Sequence, residues 1–172
     1  GYWRSHKHKV VVAEVAENTR SGGNIWAEKS NRLVDFAREA FSEYGEPADL
    51  DTKKSFEKRG IDLDNEDVMH YGITRGNPAM DSRRLGVVHG SSHWPNFVED
   101  MSALCDTDVE LTHEPQEPLK AVDQDGEDSE IANSLLTWMK QAEATQACAR
   151  IGSDSPGPSI VVSGTRPIGP QF

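Results

Sequence analysis

Three short apolar runs without polar interruption constrain this chain most: Val10-Val11-Val12 within residues 9–15, Leu85-Gly86-Val87-Val88 within 84–89, and Ile160-Val161-Val162 within 159–163. A strand with one face in water alternates apolar and polar residues, whereas a run without that alternation is buried on both faces. Two further strand-like stretches, residues 48–50 and 67–72, lie between them. Helical spacing fills the gaps. From Glu28 to Tyr44 the apolar residues Leu33, Phe36, Ala37, Ala40, Phe41 and Tyr44 recur every three or four positions, and Gly45 stops the helix. Thr52 caps a short helix through Arg59 that ends at Gly60. Pro95 opens a third helix with Phe97, Val98, Met101, Leu104 and Cys105 inward. The fourth, residues 129–149, turns Ile131, Leu135, Trp138, Met139 and Ala142 inward. Strands alternating with helices predict a three-layer α/β domain around a mostly parallel sheet. It spans residues 9–165, after a flexible N-terminus (1–8) and before a Pro-rich tail (166–172). Residues 106–128, acidic and poor in large apolar side chains, read as a loose insertion or linker.

The 172 residues carry 18 Lys and Arg against 29 Asp and Glu, a net charge of −11. Such a surface repels nucleic acid overall, so any contact with it needs a local basic patch. The acid reads as spread along the chain, a distribution that suits high salt. Cys105 and Cys148 are far apart with no CxxC, which argues against a disulfide scaffold or zinc ribbon and for a reducing interior. No apolar run approaches the ~20 residues that span a bilayer, and the start lacks a signal-peptide pattern, so a cytoplasmic protein is expected. His6-x-His8 and His89-x-x-x-His93 have ligand-compatible spacing but read as structural, and no metal site is expected.

Ligands of such sheets sit at the carboxyl ends of the strands. The loops there hold Thr52 with Lys53 and Lys54, then Arg75, Gly76 and Asn77, then Ser91 and His93, and finally the stretch before Gly164. A helix start beside Lys53 and Lys54, and a Gly-Ser turn between a strand and a helix, both suit a phosphate backbone. Gln146 and Arg150 share one helix face, so an amide and a guanidinium can address a phosphate chain together. The plainer reading is a solvated helix end with an arginine near the last carbonyls. Ser91 or Ser92 with His89 or His93 also suggests a hydrolase, although G-x-S-x-G is not spelled.

The segments His70-Tyr71-Gly72-Ile73-Thr74-Arg75-Gly76-Asn77, Arg84 to His93 and Gln146 to Ser153, in that order, resemble haloarchaeal helicase-like proteins of plasmids and viruses. Gln146-Ala147-Cys148-Ala149-Arg150-Ile151-Gly152-Ser153 is similar to the last conserved motif of superfamily 2 helicases, Q-x-x-G-R-x-G-R. Ala149 replaces its first glycine, and Ser153 its second arginine. The resemblance implies the second RecA-like domain of an ATP-dependent DNA helicase or translocase. Thr52, Lys53, Lys54, Arg75, Asn77, Ser91 and His93 would then contact nucleic acid, with Gly76, Gln146 and Arg150 facing ATP. The chain spells no G-x-x-x-x-G-K-(S/T) loop and no acidic box in a strand context. ATP and Mg²⁺ are therefore expected only with a first RecA-like domain, in cis or in trans, and the isolated chain is not expected to hydrolyse ATP. The alternative is a RecA-like interaction module that has lost its chemistry.

Overall fold

A computed structural model of the chain describes residues 10–14, 24–71, 78–90, 96–112, 119–155 and 157–164. In chain order these form β1 (Val10–Glu14), α1 (Asn24–Ala40), a 3₁₀ turn (Ser42–Tyr44), β2 (Ala48–Asp51), α2 (Lys53–Arg59), β3 (Val68–His70), a 3₁₀ turn (Pro78–Met80), β4 (Leu85–Val88), α3 (Phe97–Cys105), β5 (Val109–Leu111), β6 (Ala121–Asp123), α4 (Glu130–Arg150) and β7 (Ser159–Ser163). Two compact units result, residues 1–92 with 141–172 and residues 93–140. None of the described helices is long and apolar enough to cross a membrane.

The first unit is built on a five-stranded sheet of order β1-β7-β4-β2-β3, parallel at every pairing. Side chains alternate across it. Val87 and Val162 meet Leu33, Val34 and Ala37 of α1 on one face. Leu50, Val88 and Val161 meet Ala144, Ala147, Cys148 and Ile151 at the end of α4 on the other, with Met69 and Met80. This is the three-layer α/β arrangement expected from the strand and helix runs. Gly86 lets the upper layer close, because a Cβ there would stand 2.6 Å from Ile151 Cγ1.

Three helices present faces that differ from those expected. α1 begins at Asn24 rather than Glu28, and Phe36, expected inward, is 46% exposed while Val34 is buried. In α4 the buried stripe is Ala132, Leu136 and Met139, continued by Ala144, Ala147 and Cys148, whereas Ile131 and Trp138 are 56% and 59% exposed. Leu104 of α3, also expected inward, is 59% exposed. In α4 the inward face combines alanines, which let neighbouring layers approach closely, with the larger Leu136 and Met139.

The second unit corrects the expectation of a loose linker. Residues 106–128 include the antiparallel pair β5–β6, whose Val109 and Ala121 pack with Phe97 and Met101 of α3 and with Ala132, Leu136 and Met139. A two-stranded ribbon is marginal alone but holds when laid on helices. Asn133 fastens it, accepting from the Ala121 N–H at 2.8 Å and donating to the Ala121 carbonyl at 2.7 Å. The Ser102 hydroxyl accepts from the Val109 N–H at 2.8 Å. Residues 93–140 hold twelve acidic side chains against two lysines, so −10 of the net −11 lies in this unit rather than being spread evenly.

Burial pushes the Cys148 thiol up to about 12, whereas Cys105 is half-buried. Titration of the native chain with a maleimide in mildly alkaline buffer should therefore find one reactive thiol, with the second appearing only on denaturation. Two fast thiols in the native chain would place the end of α4 outside the core.

Candidate functional site

The order of the strands decides where the sheet opens. From β1 through β2 to β3 the chain steps one way across the sheet, with α1 and α2 packed together. After β3 it turns back through Met80 and the end of α4, which lie on the opposite face. Neighbours β2 and β4 therefore lead toward opposite faces, which places the topological switch point at their carboxyl ends.

Those ends carry a buried polar cluster. Asp49 and Asp51 are two residues apart on β2, so both side chains take the α1–α2 face. There Arg59, the last residue of α2, donates from Nη1 to Asp51 Oδ2 at 2.8 Å and to Asp49 Oδ1 at 3.3 Å, and pairs closely with Asp49 through Nη2. Its Nε donates to Asn31 Oδ1 of α1 at 2.8 Å. Asp51 also accepts the Ser55 hydroxyl at 2.6 Å and the Thr52 N–H at 2.7 Å. From β4's end, His89 Nε2 lies 3.0 Å from Asp49 Oδ1 as a charge contact rather than an aligned hydrogen bond, and Nδ1 has no partner among the described residues. The Tyr71 hydroxyl donates to the His89 carbonyl.

Burial alone would raise the Asp49 carboxyl, but the charges of His89 and then Arg59 outweigh it and hold the group below its usual range. Burial, followed by the charge of Asp51, pushes the Tyr71 phenol well above its ordinary value. Arg59 is spent inside the cluster, which therefore clamps β2, α1, α2 and β4 together rather than presenting a free cation.

The expected residues separate around this cluster. Thr52 is buried and its hydroxyl caps α2 by accepting from the Ser55 N–H at 3.1 Å, while Asp51 supplies the anion at the helix start. Lys53 and Lys54 stay exposed. Arg75, Gly76, Asn77, Ser91, Ser92, His93, His6 and His8 lie outside the described residues. Gln146 and Arg150 fall at the other edge of the sheet, where the Gly152 and Asp154 N–H groups donate to the carbonyls of Met80 and Asp81 just ahead of β4. Arg150 Nη1 stands 3.8 Å from Asp81 Oδ1. Gly152 has φ +71°, and a Cβ there would overlap Ser159 and come within 3.0 Å of the Arg83 carbonyl, so the motif's glycine makes a turn closed to other residues.

Family models, curated proteins and solved structures yield no match to this chain. Among the described residues no three His, Cys, Asp or Glu side chains gather to hold a metal ion. Sequence reading passed over Asp49, Asp51 and Arg59. The available signal was the D-x-D alternation, since two carboxylates on one face of a buried strand require a cation.

Asp49→Asn should destabilise the protein by about 3–5 kcal/mol near neutrality, because it breaks a buried pair. The depressed carboxyl contributes its stability above the ordinary carboxylate range, about pH 4, and loses it as pH falls through the folded value. Urea unfolding of wild type and Asp49→Asn should therefore converge at acid pH. A gap that persists unchanged would assign the loss to packing.

Proposed function

We propose that the first unit is the second RecA-like domain of an ATP-dependent DNA helicase or translocase acting in the cytoplasm. It contributes nucleic-acid contacts at the carboxyl edge of its sheet and Arg150 to ATP held by a first RecA-like domain. The supporting observation is the end of α4. Ala147, Cys148 and Ile151 are buried against the sheet, while Gln146 is exposed and the Arg150 side chain keeps about a third of its surface in solvent, 32%. One face anchors the helix, and the other offers an amide and a guanidinium a single turn apart. A guanidinium at that position stabilises charge developing on phosphoryl oxygens, and the amide orients the chain that bears them.

The unit does not fit a complete nucleotide site. It spells no Lys-bearing glycine loop, and its described residues hold no metal-binding cluster. In this reading ATP and Mg²⁺ are held by the first domain, which the lack of a G-x-x-x-x-G-K-(S/T) loop in the sequence supports. For the nucleic acid, the nearly neutral charge of this unit opposes binding far less than the acidic second unit does. Lys53 and Lys54 are exposed at the strand ends, and Arg75, Asn77, Ser91 and His93 follow β3 and β4 in the chain.

The test uses the natural gene product. Arg150→Ala should lower DNA-stimulated ATP hydrolysis by ~10³ or more while single-stranded DNA still binds. Lys53→Ala with Lys54→Ala should weaken DNA binding for every sequence and reduce its salt slope by about 2. A product that binds DNA without ATPase, or does neither, removes the motor reading and leaves a RecA-like interaction module.

A further inference from the structure

The second unit leaves an apolar ridge in water on its own surface. Ile131, Leu135 and Trp138 follow one another at four and three residues along α4, so they form one stripe. Ile131 and Trp138 are more than half exposed and Leu135 is partly buried. Cys105 Sγ lies 4.0 Å from Ser129 Oγ, which brings the end of α3, and with it exposed Leu104, beside the start of α4. The fold does not need this ridge, because the inward stripe of Ala132, Leu136 and Met139 already fills the core of the unit. A tryptophan and two aliphatic residues gathered in solvent mark a contact surface.

Its surroundings specify the partner. Asp106 and Asp108 follow Leu104, Asp128 and Glu130 precede Ile131, and all four are exposed, with Lys120 Nζ 3.7 Å from Asp128 Oδ2. The unit as a whole carries −10. Nucleic acid is repelled by that field. A purely apolar ligand would gain nothing from the acidic rim, and a second copy of the unit would bring like charge against it. A complementary partner has an apolar stripe flanked by cations. We propose that the Leu104–Ile131–Trp138 surface docks a lysine- or arginine-rich amphipathic helix of a partner protein, its apolar face on the ridge and its cations on the surrounding carboxylates. This inference is independent of the ATP-linked reading of the first unit.

The experiment titrates the full chain against a labelled helical peptide of about 18 residues, with leucines on one face and lysines on the other, in salt of about 0.15 M. Saturable binding is expected. Ile131→Ser with Trp138→Ser should weaken it at least about tenfold without moving the thermal unfolding midpoint, because both side chains point outward. Asp128→Asn with Glu130→Gln, a pair that leaves the ridge intact, should also weaken it, and a peptide with glutamate in place of lysine should bind at least about tenfold less tightly. The proposal is overturned if the lysine peptide does not bind, if the glutamate peptide binds equally, or if either variant pair binds like wild type. Self-association of the chain abolished by Trp138→Ser, or displacement of the peptide by single-stranded DNA, also overturns it.

Discussion

A guanidinium with no solvent exposure sits at the centre of the first unit, and the placement of its neighbours depends on it. Removing that charge from water costs several kcal/mol, which only carboxylates in good geometry offset. Asp49 and Asp51 provide them from β2, and Asn31 of α1 takes the remaining Nε–H. Arg59 thus joins a strand and two helices, and the Ser55 hydroxyl of α2 adds a second polar tie by donating to Asp51 at 2.6 Å. A buried ion network of this kind adds little over a well-packed apolar core. Its contribution is direction, since a one-residue slip of β2 would turn both carboxylates away from Arg59. His89 and the Tyr71 bond to its carbonyl extend the same constraint to the ends of β4 and β3.

The two edges of the sheet are built differently. At the carboxyl edge the switch point between β2 and β4 is braced from within, and among the described residues Lys53 and Lys54 are exposed just beyond β2. At the amino edge, the buried stripe of α4 and the turn at Gly152 set Gln146 and Arg150. Strands of four or five residues separate these edges by roughly 15 Å. A sheet of such short parallel strands holds its two edges in a fixed relation. The charge divides in the same spirit, with a nearly neutral first unit and a second unit holding almost all of the excess acid.

The layers were legible because β-branched runs such as Val87-Val88 and Val161-Val162 have few other places to go. Gly152, which follows Gln146 and Arg150 in the sequence, stands in a left-handed turn that accounts for a glycine there. Helix faces were harder. Counting large residues in α4 chose Ile131 and Trp138, whereas Ala132, Ala144 and Ala147 carry the packing. The β5–β6 ribbon was hidden because its few apolar residues, Val109, Leu111, Ala121 and Val122, stand among acids, and Val109, Leu111 and Ala121 gain their value only against α3 and α4. The Asp49, Asp51 and Arg59 cluster was missed because its charges meet only after α2 folds back onto the sheet.

The most direct measurement is a double-mutant cycle in urea between Arg59→Met and Asp51→Asn. If the cluster acts as one unit, each single change should cost about 3–5 kcal/mol, and the double variant should lose well short of their sum, with a coupling of about 1–3 kcal/mol. Additive losses would mean that Arg59 and Asp51 contribute separately, and the sheet would then owe its arrangement to apolar packing alone.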